Sequence, residues 1–279
     1  MVEIGKINEL RIVKEVDFGL YLDGGEAGEI LLPKRYVPEA FRIDEIIQVF
    51  IYKDSEDRII ATTEKPFAYL GQFALLKTVS VDRIGAFMDW GLMKDLLVPF
   101  SEQQVRMEAG KHYIIRVLLD DETQRLIGSG RIEKFLDKEP HTYVVDQEVD
   151  ILIANQTDLG YKVIINDSHT GIIYKNEIFT NVSRGQKLKA YISKIREDNK
   201  IDLCLNKPGF EKIDYLTDKI ISILKVNNGF LPVTDKSESD EIYRIFGESK
   251  KTFKKAIGAL YKKRKIAIEP NGIRLSSMK

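Results

Sequence analysis

Two stretches near the N-terminus repeat one arrangement of aromatic and apolar residues around a glycine. The first is Phe18–Tyr21, within Val16–Asp23, and the second is Ile84–Phe87. In each, a large apolar residue comes before the glycine and an aromatic follows it by two positions. A weaker version of the same arrangement is Asp158–Val163. Exposed aromatic rings at such positions can stack on the bases of a single-stranded nucleic acid, whereas buried rings would be ordinary core.

The glycine decides whether the two large side chains can share a face. In a regular β-strand, residues three apart lie on opposite faces. A glycine between them can carry a β-bulge, which turns the following side chain onto the same face. We therefore expect Phe18 and Tyr21 to stand side by side on one surface, and Ile84 and Phe87 to do the same. The repetition favours this interpretation over the alternative of core aromatics.

A second candidate site, made of basic residues, lies in the C-terminal part of the chain. No acid occurs between Ser249 and Lys265, and an apolar stripe at helical spacing runs through this segment. The stripe consists of Phe253, Ala256, Ile257 and Leu260. The opposite face of the predicted helix carries four lysines: Lys251, Lys254, Lys255 and Lys262. They predict contact with nucleic-acid phosphates, and the alternative is a solvated helix face.

Catalytic and metal-binding patterns are weaker. The histidines His112, His141 and His169 are assigned to different repeats and lack metal-ligand spacing. Two carboxylate clusters, Asp54–Asp57 and Asp120–Glu122, fall in predicted turns, where solvated side chains are expected. No phosphate-binding loop or nucleophile motif is present. We therefore predict no catalytic residue, no metal and no cofactor, and a metal-dependent nuclease is the less favoured alternative.

The composition is that of a soluble globular protein. The chain has 279 residues, of which 43% are hydrophobic, and this length is enough for about two to four small domains. No apolar run is long enough to cross a bilayer, and the N-terminus lacks the features of a signal peptide. The single cysteine, Cys204, cannot form an internal disulfide, which favours a reducing compartment. We expect a cytoplasmic monomer without a membrane partner.

Charge is unevenly distributed along the chain. The 43 basic and 43 acidic residues give a net charge of zero, which by itself argues against nucleic acid. The segment 211–279, however, contains 15 basic and 9 acidic residues, so its net charge is +6 and that of the preceding part is −6. The tail is therefore a chemically different unit.

Repeats of short strands must position the candidate residues. Gly19 and Gly85 are 66 residues apart, and Arg58 and Arg125, which open the last strands of their repeats, are 67 apart. A period this long indicates tandem domains rather than a solenoid. Each of the three repeats contains five predicted strands in roughly 60 residues, which predicts a small closed barrel. The polar segment Glu133–Pro140 is expected to be a linker.

After residue 209 the pattern becomes helical. Helices are predicted over 213–224 and Ser239–Phe246, and Ser249 is expected to cap a third helix. A hairpin follows, with the pair Asn271-Gly272 as its turn signal. Three helices and a terminal hairpin are the winged-helix pattern.

These features resemble a known family. The frame Phe18–Tyr21, then Gly28–Leu31, then Asp54–Ile60 resembles the S1-type RNA-binding OB domain. Three such units followed by a winged helix resemble the conserved virulence factor B family of bacterial RNA-binding proteins. The resemblance covers essentially the whole chain and rests on the order of domains more than on a single motif. It implies a mainly β fold with a C-terminal α+β domain, in which five-stranded S1-type OB barrels at 1–66, 67–140 and 141–209 precede a winged helix at 210–279.

In the S1-type domain, two aromatics on the glycine strand, a histidine on the next strand and a basic residue opening the last strand form the RNA surface. The resemblance carries these roles to three sets of residues, none of which is complete. The first set is Phe18, Tyr21 and Arg58, with Leu31 in place of the histidine. The second is Phe87 and Arg125, with Ile84 and Leu97 at the other two places. The third is Leu159, Lys162, Tyr174 and Lys200, with Tyr161 one place out of register.

The predicted function is non-catalytic binding of single-stranded RNA, such as an mRNA, in post-transcriptional regulation of gene expression. Aromatic stacking and basic contacts would provide the affinity, and the acidic bias of the three barrels would keep the affinity of each one modest. DNA is a further candidate partner of the winged helix. The main alternative is a protein-interaction adaptor in which the OB domains are structural.

Overall fold

The computed structural model describes residues 1–178, 181–205 and 211–276, apart from the side chains of residues 176 and 211–215. The chain forms two compact units. The first consists of Met1–Thr142 and Val149–Lys189, and the second of Tyr143–Glu148 and Ala190–Lys279. The predicted boundary between residues 209 and 210 lies outside the described residues, and the other domain boundaries stay predictions.

The first five strands form a closed barrel, as predicted. They are β1 (Ile7–Val16), β2 (Gly19–Asp23), β3 (Glu29–Pro33), β4 (Ile46–Lys53) and β5 (Ile59–Thr62). Their order around the barrel is β1-β2-β3-β5-β4. Along β2, Leu20 and Leu22 are buried and Tyr21 is only half-buried. One face of this strand therefore enters the core while the other faces outward.

The second five strands repeat this order in a barrel that is nearly closed. They are β6 (Phe73–Val81), β7 (Gly85–Asp89), β8 (Leu96–Pro99), β9 (His112–Leu119) and β10 (Leu126–Ser129). They form a sheet with the order β10-β9-β6-β7-β8, so β10 and β8 are its edges. In the first barrel the matching strands β3 and β5 pair in parallel at Leu31 and Ile60. The second barrel thus keeps a seam between β8 and β10.

The third five strands form a closed barrel again. They are β11 (Glu148–Gln156), β12 (Gly160–Ile165), β13 (His169–Tyr174), β14 (Lys187–Ile195) and β15 (Ile201–Cys204). Their order is β11-β12-β13-β15-β14, the same order as in the first barrel. The three predicted repeats therefore share one topology.

The glycines of the repeated motif have a common steric reason. Gly19, Gly85 and Gly160 each begin the second strand of a barrel. A Cβ atom at any of these positions would collide with a backbone carbonyl oxygen of the neighbouring strand. The oxygens belong to Leu32, Val98 and Ile173, respectively. Only glycine lets the two strands approach each other this closely.

The bulge lies on the opening strand of each barrel and not at the glycine. The pairing of the first two strands shifts by one residue in all three barrels. The shifts lie between Ile12 and Lys14, between Thr78 and Ser80, and between Ile153 and Asn155. The prediction that the glycine carries the bulge is therefore wrong. Phe18 belongs to the turn before β2 and Tyr21 to the strand itself, which is why strand alternation does not separate them.

Gly85→Ala is expected to lower the free energy of unfolding by about 1–3 kcal/mol, because the added methyl group overlaps the Val98 carbonyl. Gly258→Ala is the matched control, since a Cβ there would have no heavy atom within 4 Å. Gly258 lies in a helix, where alanine is the better helix former, so unchanged or slightly higher stability is expected. Urea unfolding measures both variants. A Gly85 variant as stable as the wild type would contradict the steric explanation.

The segment between the second and third barrels is anchored. Leu136 is buried and belongs to a hydrophobic cluster that contains Phe73 of the second barrel. Asp137 accepts hydrogen bonds from the backbone N–H and the hydroxyl of Thr170, at 2.9 and 2.7 Å. The segment predicted as a linker, Glu133–Pro140, is thus held in place by an apolar side chain and a carboxylate.

The first two barrels share one hydrophobic cluster. Phe50 and Tyr52 of β4 pack with Trp90, the only tryptophan of the chain. The ring centroids of Phe50 and Trp90 are 5.8 Å apart in an edge-to-face arrangement. Because aromatic rings bury large apolar areas, this contact favours a fixed arrangement of the two barrels.

The C-terminal segment has the winged-helix order. Its elements are α1 (Glu211–Val226), β16 (Phe230–Leu231), α2 (Ser239–Phe246), α3 (Lys250–Lys262), β17 (Ile266–Glu269) and β18 (Gly272–Leu275). The short strand β16, which the sequence analysis missed, completes a sheet with the order β16-β18-β17. Ser249 caps α3 as predicted, since its Oγ accepts the Thr252 N–H at 3.2 Å. The stacked rings of Phe246 and Phe253, with centroids 4.9 Å apart, join α2 to α3.

Candidate nucleic-acid interface

An exposed aromatic pair lies on the first barrel. Phe18 is 55% exposed, and Tyr21 is half-buried. Their ring centroids are 6.2 Å apart, with an interplanar angle of 85°. An edge-to-face contact of this kind orients both rings. The predicted side-by-side arrangement is therefore confirmed, and the core interpretation is wrong for Phe18.

Lys14 lies beside this pair and was missed by the sequence analysis. Its Nζ is 4.9 Å from the centroid of the Tyr21 ring and 2.6 Å from a carboxylate oxygen of Glu29. The bulge in β1 places Lys14 opposite Tyr21 in the strand register. The matching residues after the bulge are Ser80 and Asn155 in the other barrels. No repeated basic residue marks this position, so the sequence gives no signal for it.

Arg58 precedes β5 and is held by the turn before it. Its guanidinium is 2.7 Å from a carboxylate oxygen of Asp54 and 2.9 Å from one of Glu56. The hydrogen bond to Asp54 raises the pKa of Arg58. The Arg58 side chain is still 68% exposed. Since exposed ion pairs of this kind are weak, a phosphate can compete with the two carboxylates for this guanidinium.

The second barrel has a more apolar version of this face. Ile84 is 58% exposed, and Phe87 and Leu97 are half-buried. Phe87 pairs with Leu97 across β7 and β8, so both side chains lie on the same side of the sheet. The structure thus brings together the three apolar residues that the resemblance selected here.

Arg125 is engaged by the first barrel. Its Nε is 2.5 Å from a carboxylate oxygen of Asp57, and its Nη2 donates to the Ser55 carbonyl at 3.3 Å. The hydrogen bond to Asp57 raises the pKa of Arg125. Lys53 makes the reciprocal contact, donating from Nζ to the Thr123 carbonyl at 3.0 Å. The turns before the last strands of the two barrels therefore hold each other, a contact that was not predicted from the sequence.

The third barrel lacks the aromatic pair. In the strand register, Lys162 occupies the position that Tyr21 has in the first barrel. Leu159, which is 66% exposed, precedes the glycine. The Lys162 Nζ is 3.8 Å from a carboxylate oxygen of Glu133. Tyr161 and Tyr174 are both half-buried. The structure therefore leaves this face with a cation and an aliphatic side chain at the two positions where the first barrel has rings.

Basic side chains are exposed in the second compact unit. Lys200 is exposed and pairs with Asp198 at 2.7 Å. On α3, the four predicted lysines are exposed, while the predicted apolar stripe is buried. Lys254 is 3.1 Å from Asp235, and this hydrogen bond lowers the pKa of Asp235.

The other three predicted lysines of α3 have no ion pair within the described part of the chain. They are Lys251, Lys255 and Lys262. Because their ammonium groups are not neutralised by a carboxylate there, α3 presents net positive charge to solvent. The candidate contacts with nucleic acid are therefore the four predicted lysines and the aromatic or apolar faces of the first and second barrels.

Two of the three histidines, His141 and His169, lie close together. The rings of His141 and His169 have centroids 6.1 Å apart, because the anchored segment before His141 returns along β13. Among the residues that the structure describes, no group of three or more His, Cys, Asp or Glu side chains could hold a metal ion. In the same residues, no helix combines the length and apolar character needed to cross a membrane.

Comparisons with known proteins identify the two ends of the chain. Residues 4–64 match the S1 domain, and residues 218–275 match the CvfB-like winged helix domain. Conserved virulence factor B of Staphylococcus epidermidis is 26% identical over 98% of this chain and 95% of its own length. The uncharacterized protein YitL of Bacillus subtilis is 27% identical over 92% of this chain and 88% of its own length. A crystal structure of a multidomain protein with nucleic acid binding domains from Streptococcus pneumoniae is 24% identical, covers 98% of both chains and has a TM-score of 0.41.

The fold and the family matches define the class of this protein. It consists of three five-stranded barrels, the first of which matches the S1 domain, followed by a domain that matches the CvfB-like winged helix. Along nearly its whole length the chain is similar to conserved virulence factor B, so the resemblance found in the sequence is confirmed. These domains support a nucleic-acid-binding role.

Proposed function

We propose that this protein binds single-stranded RNA without cutting it and acts in post-transcriptional regulation of gene expression. The observation that carries the proposal is the exposed pair of Phe18 and Tyr21, flanked by Lys14 and Arg58, in the segment that matches an S1 domain. Unpaired bases can stack on the rings while the cations meet phosphates. Stacking of a base on an aromatic side chain contributes about 1–3 kcal/mol.

The preference for a single strand follows from the geometry of the duplex. Bases inside an A-form helix are stacked on one another, so their faces cannot reach Phe18 or Tyr21. Recognition of a duplex would instead need contacts along its shallow groove and phosphates. The choice of RNA over DNA rests on the resemblance to S1-type domains, and an mRNA is the kind of RNA that the proposed regulatory role requires.

Several weak contacts are expected to act together. The part of the chain before residue 211 has a net charge of −6, which limits the electrostatic affinity of the barrels for a polyanion. The exposed lysines of α3 supply the opposite charge in the same chain. When one strand contacts both regions, the second contact is intramolecular and raises the total affinity without strong individual sites.

Incubation of the full chain with labelled single-stranded RNA, with and without Mg²⁺, tests the proposal on a native gel and a denaturing gel. We expect a retarded band on the native gel and full-length RNA on the denaturing gel in both conditions. Shortened RNA that appears only with Mg²⁺ would identify a nuclease. Absence of a retarded band at all protein concentrations would favour a protein-interaction adaptor instead.

A further inference from the structure

The exposed face of α3 has a gap at its centre, where Gly258 carries no side chain. The exposed positions of this helix are the four predicted lysines together with Gly258 and Tyr261. Residues three or four positions apart are neighbours on a helix surface. Lys254 and Lys255 therefore border the gap on the preceding turn. Tyr261 and Lys262 border it on the following turn.

Gly258 has no steric role inside the chain. Its backbone is helical and its φ is not positive. A Cβ atom at this position would stand in open space, whereas one on Gly85 would collide with a carbonyl oxygen. Glycine in a helix interior lowers helix stability relative to alanine. Since no contact within the protein requires it, a contact with another molecule explains it, because glycine allows close approach to the backbone.

Tyr261 provides an exposed aromatic ring beside the gap. Its side chain is 58% exposed. Side chains of a helix lean towards its N-terminus, so the Tyr261 side chain covers the turn that contains Gly258. An exposed ring beside a lysine is the combination that Tyr21 and Lys14 form on the first barrel. Such a ring can stack on an unpaired base.

The charges around the gap match a polyanion. Lys255 and Lys262 have no ion pair within the described part of the chain, and Lys254 shares its charge with Asp235. Ammonium groups on both sides of a bare stretch of backbone favour a compact anionic group between them, and a phosphate has this size and charge. This charge complementarity favours nucleic acid over an apolar or basic protein surface as the partner.

We propose that the gap at Gly258 seats one sugar–phosphate unit of a single-stranded RNA, whose adjoining base stacks on Tyr261. The lysines that border the gap contact the phosphate. A duplex suits this face less well, because its bases are already stacked and a helix that reads a groove presents side chains to base edges at its centre. This inference rests on the proposed function, since it adds a second stacking site for the same bound strand.

Gly258→Ala is the decisive variant. The added methyl group enters the gap, so we expect the affinity of the full chain for an oligouridylate to fall by about fivefold or more. Gly258→Leu fills the gap with a larger side chain and is expected to lower the affinity by about tenfold or more. Both residues are better helix formers than glycine, so equal or higher thermal stability is expected. Fluorescence anisotropy and a thermal melt measure both effects.

Substitutions of Tyr261 test the stacking contact. Tyr261→Ala is expected to reduce oligouridylate affinity by about fivefold or more, and Tyr261→Phe, which keeps the ring, to bind within about twofold of the wild type. Tyr243→Ala is the matched control, because Tyr243 is 67% exposed but lies on α2 of the same domain. We expect this control to bind as the wild type does. An equal loss in Tyr261→Phe and Tyr261→Ala would contradict stacking.

A crosslink locates the base directly. An oligouridylate that carries 4-thiouridine is irradiated with near-ultraviolet light in complex with the full chain, and the protein is then digested with trypsin. Cleavage after Lys255 and Lys262 releases the peptide Ala256–Lys262, which contains both Gly258 and Tyr261. We expect mass spectrometry to find the nucleotide on Tyr261 of this peptide.

The outcomes separate this inference from the proposed function. Unchanged oligouridylate affinity in Gly258→Leu or in Tyr261→Ala overturns the inference, while RNA binding by the wild type leaves the proposed function standing. A greater loss of affinity for duplex RNA than for the oligouridylate in Gly258→Ala would identify a groove as the occupant and would also overturn it. Failure of the wild type to bind any single-stranded RNA overturns the proposed function and this inference with it.

Discussion

Replacing Phe18 and Tyr21 together by alanine is expected to weaken the binding of single-stranded RNA by about 30-fold or more. Each stacked base contributes about 1–3 kcal/mol, so loss of both rings removes at least about 2 kcal/mol. Phe18 is 55% exposed and lies in a turn, so its removal leaves no cavity in the barrel. Fluorescence anisotropy with a labelled RNA and a thermal melt of the same variant are the measurements.

Phe67→Ala is the matched control for this double change. Phe67 is also 55% exposed, but it lies outside the aromatic pair of the first barrel. We expect the control to bind RNA as the wild type does. If the pair were part of the core, the double variant would instead lose about 3–5 kcal/mol of stability for each ring. A large drop in melting temperature would therefore contradict the surface role, even if RNA binding also fell.

Exchange of the four lysines of α3 for glutamine is expected to flatten the dependence of RNA affinity on salt. Each phosphate contact that is lost on a single strand changes the slope of log affinity against log salt by about 0.7. Lys254 already pairs with Asp235, so the three remaining lysines are expected to give most of the change, about 2 in the slope. Ammonium groups meet phosphates rather than base edges, so RNAs of different sequence should lose similar factors.

Two single substitutions distinguish the effect of a lysine's position from the effect of losing its charge. Lys255→Gln on α3 and Lys225→Gln at the end of α1 remove the same charge from exposed positions of the same domain. We expect the first to lower the salt slope and the second to leave it nearly unchanged. Unchanged slope and affinity in the quadruple variant would mean that α3 does not touch nucleic acid, and the winged helix would then be better described as a protein-docking module.

The strand order could be predicted because it depends on local signals that recur. The alternation of Leu20, Tyr21 and Leu22 and the glycine before them reappear one repeat later, and both intervals measured from separate features agree. The third helix was predictable for a similar reason, since the Ser249 cap and the apolar stripe are both local. Such features are fixed by a few neighbouring residues.

The contacts between repeats could not be predicted. Arg125 has the position of a phosphate contact in its own barrel, but Asp57 of the preceding barrel binds it. The anchoring of Leu136 likewise depends on packing between residues of different barrels. No periodicity within one repeat carries this information, because the partner residues are far apart in the chain.

One glycine of the predicted hairpin turn has a second role. The turn Glu269–Gly272 is confirmed, since Glu269 pairs with Gly272 and the turn residues Pro270 and Asn271 lie between them. A Cβ atom on Gly272 would collide with the Leu231 carbonyl of β16. The glycine thus permits a third strand that the sequence analysis missed, as the glycines of the barrels permit close strand approach.

The most direct test of the proposed function is a competition between single-stranded and duplex RNA of equal length. The full chain is first bound to a labelled single strand, and unlabelled competitors are then titrated while anisotropy is followed. We predict that the single strand displaces the label at a concentration at least about tenfold lower than the duplex does, because one stacking contact alone is worth about 1–3 kcal/mol. Equal or better competition by the duplex would contradict recognition of unpaired bases by Phe18 and Tyr21.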